Sequence, residues 1–154
     1  MLMLLTNHTL TGVVLGLTID NPAVLAPTAV ASHLVLDSVP HFGIALKEPW
    51  YRDPKFIVLG SADFALSALV AGGACIVWPH RIFHILIGVI GAQLPDLTYI
   101  PLILFGKKNV SRALPFYPAM LRFLARIQWS ETPTGFITEV IWACGMAIVL
   151  RSYA

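Results

Sequence analysis

The sequence predicts an all-α fold, one membrane-embedded domain over 1–154. It reads as a polytopic helix bundle of about four to five membrane helices, with an amphipathic helix on its cytoplasmic face. Three observations predict it. Of the 154 residues, 57% are hydrophobic and only 12% charged, with a mean hydropathy of +0.78, whereas an ordinary soluble domain carries about 25% charged residues. The apolar residues gather into five segments separated by proline-, glycine- or charge-bearing turns. The basic residues fall unevenly between the two sets of connecting loops.

The first segment runs from Leu4 to Ile19, and "DNP" then turns the chain, because Pro22 cannot continue a preceding helix. The second runs from Pro22 to Phe42, the third from Phe56 to Trp78, the fourth from Arg81 to Phe105 and the fifth from Thr134 to Leu150. A full crossing takes ~20 residues, so the first and fifth read as tilted partners or as segments that begin inside the interface. The opening "MLMLLTNHTLTGVVLGL" lacks a basic start and a small-residue cleavage site, so it is expected to be retained. The third segment is crowded with small residues, Gly60, Ser61, Gly72 and Gly73 among them, which predicts a central helix approached closely by its neighbours. Between Gly106 and Pro133, "AMLRFLARIQW" alternates basic and apolar residues at helical spacing. It reads as a helix on the membrane surface or, equally, as a loop helix packed on the bundle.

Five crossings put the loops 43–55 and 106–133 on the side of the N-terminus. Those loops hold Lys47, Arg52, Lys55, Lys107, Lys108, Arg112, Arg122 and Arg126, against Arg81 and Arg151 opposite. That bias predicts a cytoplasmic N-terminus. The net charge of +2 gives no argument for nucleic acid, so membrane lipid is the expected partner. The sequence sets no oligomeric state. Cys75 and Cys144 lie in apolar runs and read as inert thiols, with no disulfide.

Ionisable residues inside a bilayer cost at least ~2.5–3.5 kcal/mol each and usually mark function. The candidates are His8, His33, Asp37, His41, Asp63, Asp96 and Glu139. At ~1.5 Å per residue, His33, Asp63 and Asp96 lie ~11–14 Å from the cytoplasmic ends of their segments, and Asp37 and Glu139 ~8 Å. Four helices thus bring polar groups to similar depths, which predicts that they converge.

His33 and Asp37, four apart in "SHLVLDSVPHF", share a helix face. Imidazole and carboxylate together suit a divalent metal, zinc first, with manganese or iron as alternatives. Asp37 reads as a ligand or as the partner that orients a ligating histidine. Pro40 ends or bends the helix before His41, which leaves His41 a ligand, a proton donor or an interfacial residue. Asp63 and Asp96 would supply oxygen ligands or a general base. Asp63 could instead bond backbone among small residues, and Asp96 in "QLPD" could cap a half helix behind Pro95. Glu139 reads as a pair for Arg126 or a helix cap, and Asp20, His80 and His84 as interfacial. "HTLTGVVLGLTID" and "HILIGVIGAQLPD" also agree at His, Leu, Gly, Val and Asp, a weak internal similarity.

"HTLTGVVLG", "SHLVLDSVPHF", an aspartate in the next span and "GAQLPDL" together resemble the small bacterial inner-membrane metal-dependent hydrolase family, some of whose members are LexA-regulated. The resemblance covers most of residues 8–98. It implies a helical hydrolase of the bacterial inner (cytoplasmic) membrane with a divalent metal, and a site of His8, His33, Asp37, His41, Asp63 and Asp96. Within it, His8, His33, Asp37 and Asp63 are the expected metal ligands, and Asp96 and His41 the expected catalytic groups. Larger members carry a further H-x-x-x-H-S segment after the P-D motif, whereas residues 106–133 here contain no histidine. The expected activity is hydrolysis of a lipid or membrane-adjacent ester or phosphoester. The alternatives are a proton or divalent-cation transporter and a non-catalytic membrane subunit using the same polar cluster.

Overall fold

In the computed structural model of the chain, which describes residues 4–128 and 131–153, the fold is helical: α1 Leu5–Thr18, α2 Pro22–Asp37, α3 Pro54–Val77, α4 Ile82–Leu97, α5 Ile100–Ala113, α6 Tyr117–Ile127 and α7 Phe136–Arg151. Helix starts follow local chemistry. Asn21 caps α2 by accepting the Ala23 N–H (2.9 Å), and Asp53 caps α3 by accepting the Lys55 N–H (2.8 Å). Proline occupies the first turn of both. α2 stops at Asp37, ahead of Pro40. The fourth apolar segment is not one helix: α4 carries Pro95 in its last turn and breaks after Leu97, and α5 restarts with Pro101 in its first turn and is kinked at Gly106.

Three helical stretches among the described residues are long and apolar enough to cross a membrane: Pro54–Val77, Pro79–Ala113 and Pro133–Arg151. That is fewer than the four to five expected, and length is the reason. α1 and α2 have 14 and 16 residues, or ~21 and ~24 Å, against a hydrocarbon core of ~30 Å.

α1 and α4 form the centre. They run antiparallel and nearly touch backbone to backbone. A Cβ on Gly12 would lie 2.6 Å from the Gly88 carbonyl oxygen, and one on Gly16 would lie 2.6 Å from that of His84. The two weakly similar segments are therefore this pair of helices, crossing with Gly12 against Gly88. α3 and α7 flank α1 in parallel with it: Thr9 Oγ1 lies 2.6 Å from Ser67 Oγ, and Trp142 Nε1 donates to Thr11 Oγ1 (2.9 Å). α2 lies along α4, with Ala29 packed on Gly91.

The small-residue helix α3 is not central. Only Ser67 and Ala74 of its residues are buried, and a Cβ on Gly60, Gly72 or Gly73 would meet nothing within 4 Å. Small residues permit close approach without requiring it, and here α1 approaches α4 instead. Outward-facing Leu69 and Ile76 are 72% and 81% exposed, as on a lipid-facing wall.

Two apolar clusters fill the bundle. Val13, Leu17, Ala74, Ile85 and Val89 pack one end, and Tyr99, Leu102, Val110, Tyr117 and Leu124 the other. The amphipathic stretch is α6. It turns Tyr117 and Leu124 inward and leaves Arg122, Phe123 and Arg126 exposed, so it packs on the bundle and still presents a basic, aromatic face. Trp129, which ends that stretch, lies outside the described residues. The loops after α2 and α6 are clasped by a short parallel pairing, β1 His41–Phe42 with β2 Glu131–Thr132. Gly135 then packs so closely on the His41 backbone that a Cβ would not fit.

Candidate metal centre

The site lies where α1, α2 and α4 meet, and it begins with how α1 is held. The amino end of a helix leaves N–H groups unpaired and carries the positive end of its dipole. Asp63, from α3, accepts the Leu5 N–H (2.6 Å), the Thr6 N–H (3.1 Å) and the Thr6 hydroxyl (2.6 Å). Glu139, from α7 and 1% exposed, accepts from Asn7 Nδ2 (2.5 Å) and from the N–H groups of Leu4 (3.3 Å) and Phe42 (3.2 Å). Two interior carboxylates thus fix the start of α1, and His8 follows one turn later.

α2 contributes His33 and Asp37, one turn apart. His33 Nδ1 lies 2.7 Å from the Ala92 carbonyl oxygen. A carbonyl can only accept, so Nδ1 carries the proton and Nε2 of the neutral ring carries a lone pair. Nε2 lies 3.1 Å from Asp37 Oδ2 and 3.6 Å from Asp96 Oδ1. The His8 ring stacks on His33 with centroids 4.0 Å apart, and its Nε2 lies 3.2 Å from Asp37 Oδ1. Gln128, just past α6, donates from Nε2 to Asp37 Oδ2 (2.7 Å).

Both imidazoles and both carboxylates are buried, yet both nitrogens of His8, Nε2 of His33, Oδ1 of Asp37 and both oxygens of Asp96 have no hydrogen bond. Buried polar atoms ordinarily have one. In a dry interior such a cluster needs a cation among its nitrogen and oxygen atoms, a shared proton or a metal ion. One ligand atom each from His8, His33 and Asp96 lies within 4.8 Å of the other two, so this group could hold a metal ion. Two imidazoles and a carboxylate are a fitting donor set for a divalent transition metal. A divalent ion would also balance the charges of Asp37 and Asp96.

The far end of the α1–α4 pair makes a useful contrast. His84 and Asp20 stand there in the places that His8 and Asp96 take at the buried end. Arg81 Nη1 meets Asp20 Oδ1 at 2.6 Å, and the guanidinium holds that carboxyl below its usual range. His84 Nε2 lies 2.8 Å from the Asp20 carbonyl oxygen. At the buried end, the described partners of Asp37 and Asp96 are histidines and Gln128, with no lysine or arginine.

The structure therefore brings His8, His33, Asp37 and Asp96 together. Asp63, an expected ligand, instead spends both carboxylate oxygens on α1. Asp96, expected as an oxygen ligand, a general base or a helix cap, stands in the ligand group, and the residue before α5 is Tyr99. His41, the other expected catalytic group, belongs to the clasp. Its Nδ1 lies 2.8 Å from the Val39 carbonyl oxygen and its Nε2 4.0 Å from Glu131, outside the His8–His33–Asp96 group. Sequence reading missed Gln128 and Asn7, neutral amides that carry no signal in an apolar pattern. Compared with protein-family models, curated proteins and solved structures, the chain gives no match.

Proposed function

We propose that this chain is a membrane-embedded metal-dependent hydrolase, a short divergent member of the small bacterial inner-membrane type, acting on a lipid or membrane-adjacent ester or phosphoester. The observation that carries the reading is the meeting of His8, His33, Asp37 and Asp96 from three helices, with buried lone pairs that lack hydrogen bonds. His8, His33 and Asp96 are the proposed ligands, with zinc as the first choice and manganese or iron as alternatives. When bound, such an ion supplies a water acidified to near neutral pH. The chain's own residues prepare the site. The Ala92 carbonyl sets the tautomer of His33, Asp37 spans both imidazoles, and Gln128 holds Asp37. Ligand partners of this kind fix ring orientation and raise affinity.

In this reading α1 and α2 are shorter membrane segments packed among the longer ones. The N-terminus, the clasp and the exposed face of α6 lie on the cytoplasmic side of the inner membrane. The apolar cluster of Val13, Leu17, Ile85 and Val89 fills the bundle between the site and its far end, which speaks against a proton or cation path.

The test is elemental analysis of detergent-purified protein, after reconstitution with zinc, manganese or iron in turn. Near-stoichiometric metal that His33→Ala abolishes supports the reading. A wild-type protein that takes up none of them would sink it and leave a non-catalytic subunit whose polar cluster only locks helices together.

A further inference from the structure

We infer that the substrate is a lipid that lays one acyl chain in an apolar slot between α3 and the α4–α5 break, with its reacting head at the inner end of the slot beside Asp96. This rests on the hydrolase reading and narrows it.

The slot has a volume of about 390 Å³ and lies among Phe56, Ile57 and Phe64 of α3 and Ile100 and Ile103 of α5. Ligand pockets commonly span ~300–1,000 Å³. Ile57, Phe64, Ile100 and Ile103 are also exposed on the outer surface of the bundle, so the slot is walled by residues that face lipid. No residue of 54–66 is buried, so α3 forms a lightly held side wall. The inner end reaches Asp96, whose two carboxylate oxygens have no hydrogen bond. An apolar slot leading from lipid to a proposed metal ligand fits a chain attached to a reacting head group.

Volume decides how many chains. At the ~30 Å³ that one water occupies, the slot holds about a dozen methylene-sized groups. The slot therefore takes one chain of a lipid.

A second cavity, of about 580 Å³, shares Tyr51, Phe56 and Tyr99 with the slot as common walls. It adds Glu48, Lys107 and Gln128 to its lining. Gln128 bonds Asp37, so this second cavity comes within one residue of the metal centre.

The test uses the full-length, metal-loaded protein in nanodiscs of dioleoyl phosphatidylcholine. The probe is dodecanoyl lysophosphatidylcholine with a photoreactive diazirine at the chain end. Crosslinks are expected on α3 within 54–64 and on α5 within 100–103. Unlabelled dodecanoyl lysophosphatidylcholine is expected to displace them. Gly60 lines the slot and its missing Cβ would meet nothing, so Gly60→Leu fills space without a backbone clash. It should cut labelling by about tenfold with metal content unchanged, while Gly72→Leu, on the same helix outside the slot, leaves labelling intact. Ile103→Trp is the second filling variant. Labelling that survives both filling variants, or crosslinks spread evenly around the bundle, overturns the proposal. Labelling without metal uptake in any preparation would keep the slot and sink the hydrolase reading. Metal uptake without labelling would do the reverse.

Discussion

Asp63 and Asp96 are the same residue type at similar depth, and their surroundings give them different work. Asp63 has two N–H groups and a hydroxyl within 3.1 Å; Asp96 has a lone-pair nitrogen at 3.6 Å and no hydrogen bond. Their variants should therefore separate. Asp63→Ala loses the cap of α1 and should lower stability by about 1–2 kcal/mol while metal remains bound. Asp96→Asn should keep the fold and lose most of the metal. Thermal unfolding in detergent beside elemental analysis reads both. Metal loss in Asp63→Ala at full stability would return Asp63 to the ligand set. Convergence of these carboxylates was legible in the sequence, because depth is counted in residues from a helix end. Their division into helix caps and ligand candidates was not, since it depends on which atoms of another helix each carboxylate meets.

At the scale of elements, helix positions were legible almost residue by residue where proline or a cap marks the end. The first segment, read as Leu4 to Ile19, is α1 Leu5–Thr18, and Pro22 opens α2 as expected. The central helix was misjudged, because a count of small residues reports permission to pack and not a partner. Gly88 has no room for a methyl group against the Gly12 carbonyl, whereas Gly72 and Gly73 have open space. Gly88→Ala should cost about 1–3 kcal/mol by overpacking. Gly72→Ala should be neutral or stabilise by up to about 1 kcal/mol through helix propensity. Denaturation in mixed micelles measures both. Equal effects would mean that α3 is as closely packed as α1.

For the molecule as a whole, the uneven basic charge has a spatial counterpart. The segments bearing Lys47, Lys107 and Arg122 belong to the end of the bundle that holds the clasp, and Arg81 sits at the other end beside Asp20. The proposed orientation then makes a direct prediction. In intact cells a membrane-impermeant maleimide should label Ser152→Cys, and should reach Lys108→Cys only once the inner membrane is opened. The opposite pattern would invert the protein without altering its fold.

The clasp and the hold on α1 also bear on the order of assembly. α1 carries His8 and is made early, yet Glu139, which grips its amino end, and Glu131 and Thr132, which close the clasp, come more than a hundred residues later. Gln128, which steadies Asp37, also comes late. Every candidate ligand in this chain therefore precedes Gln128, the closing strand of the clasp and α7. On the proposed reading, the centre gains its full support only once α7 has joined the bundle.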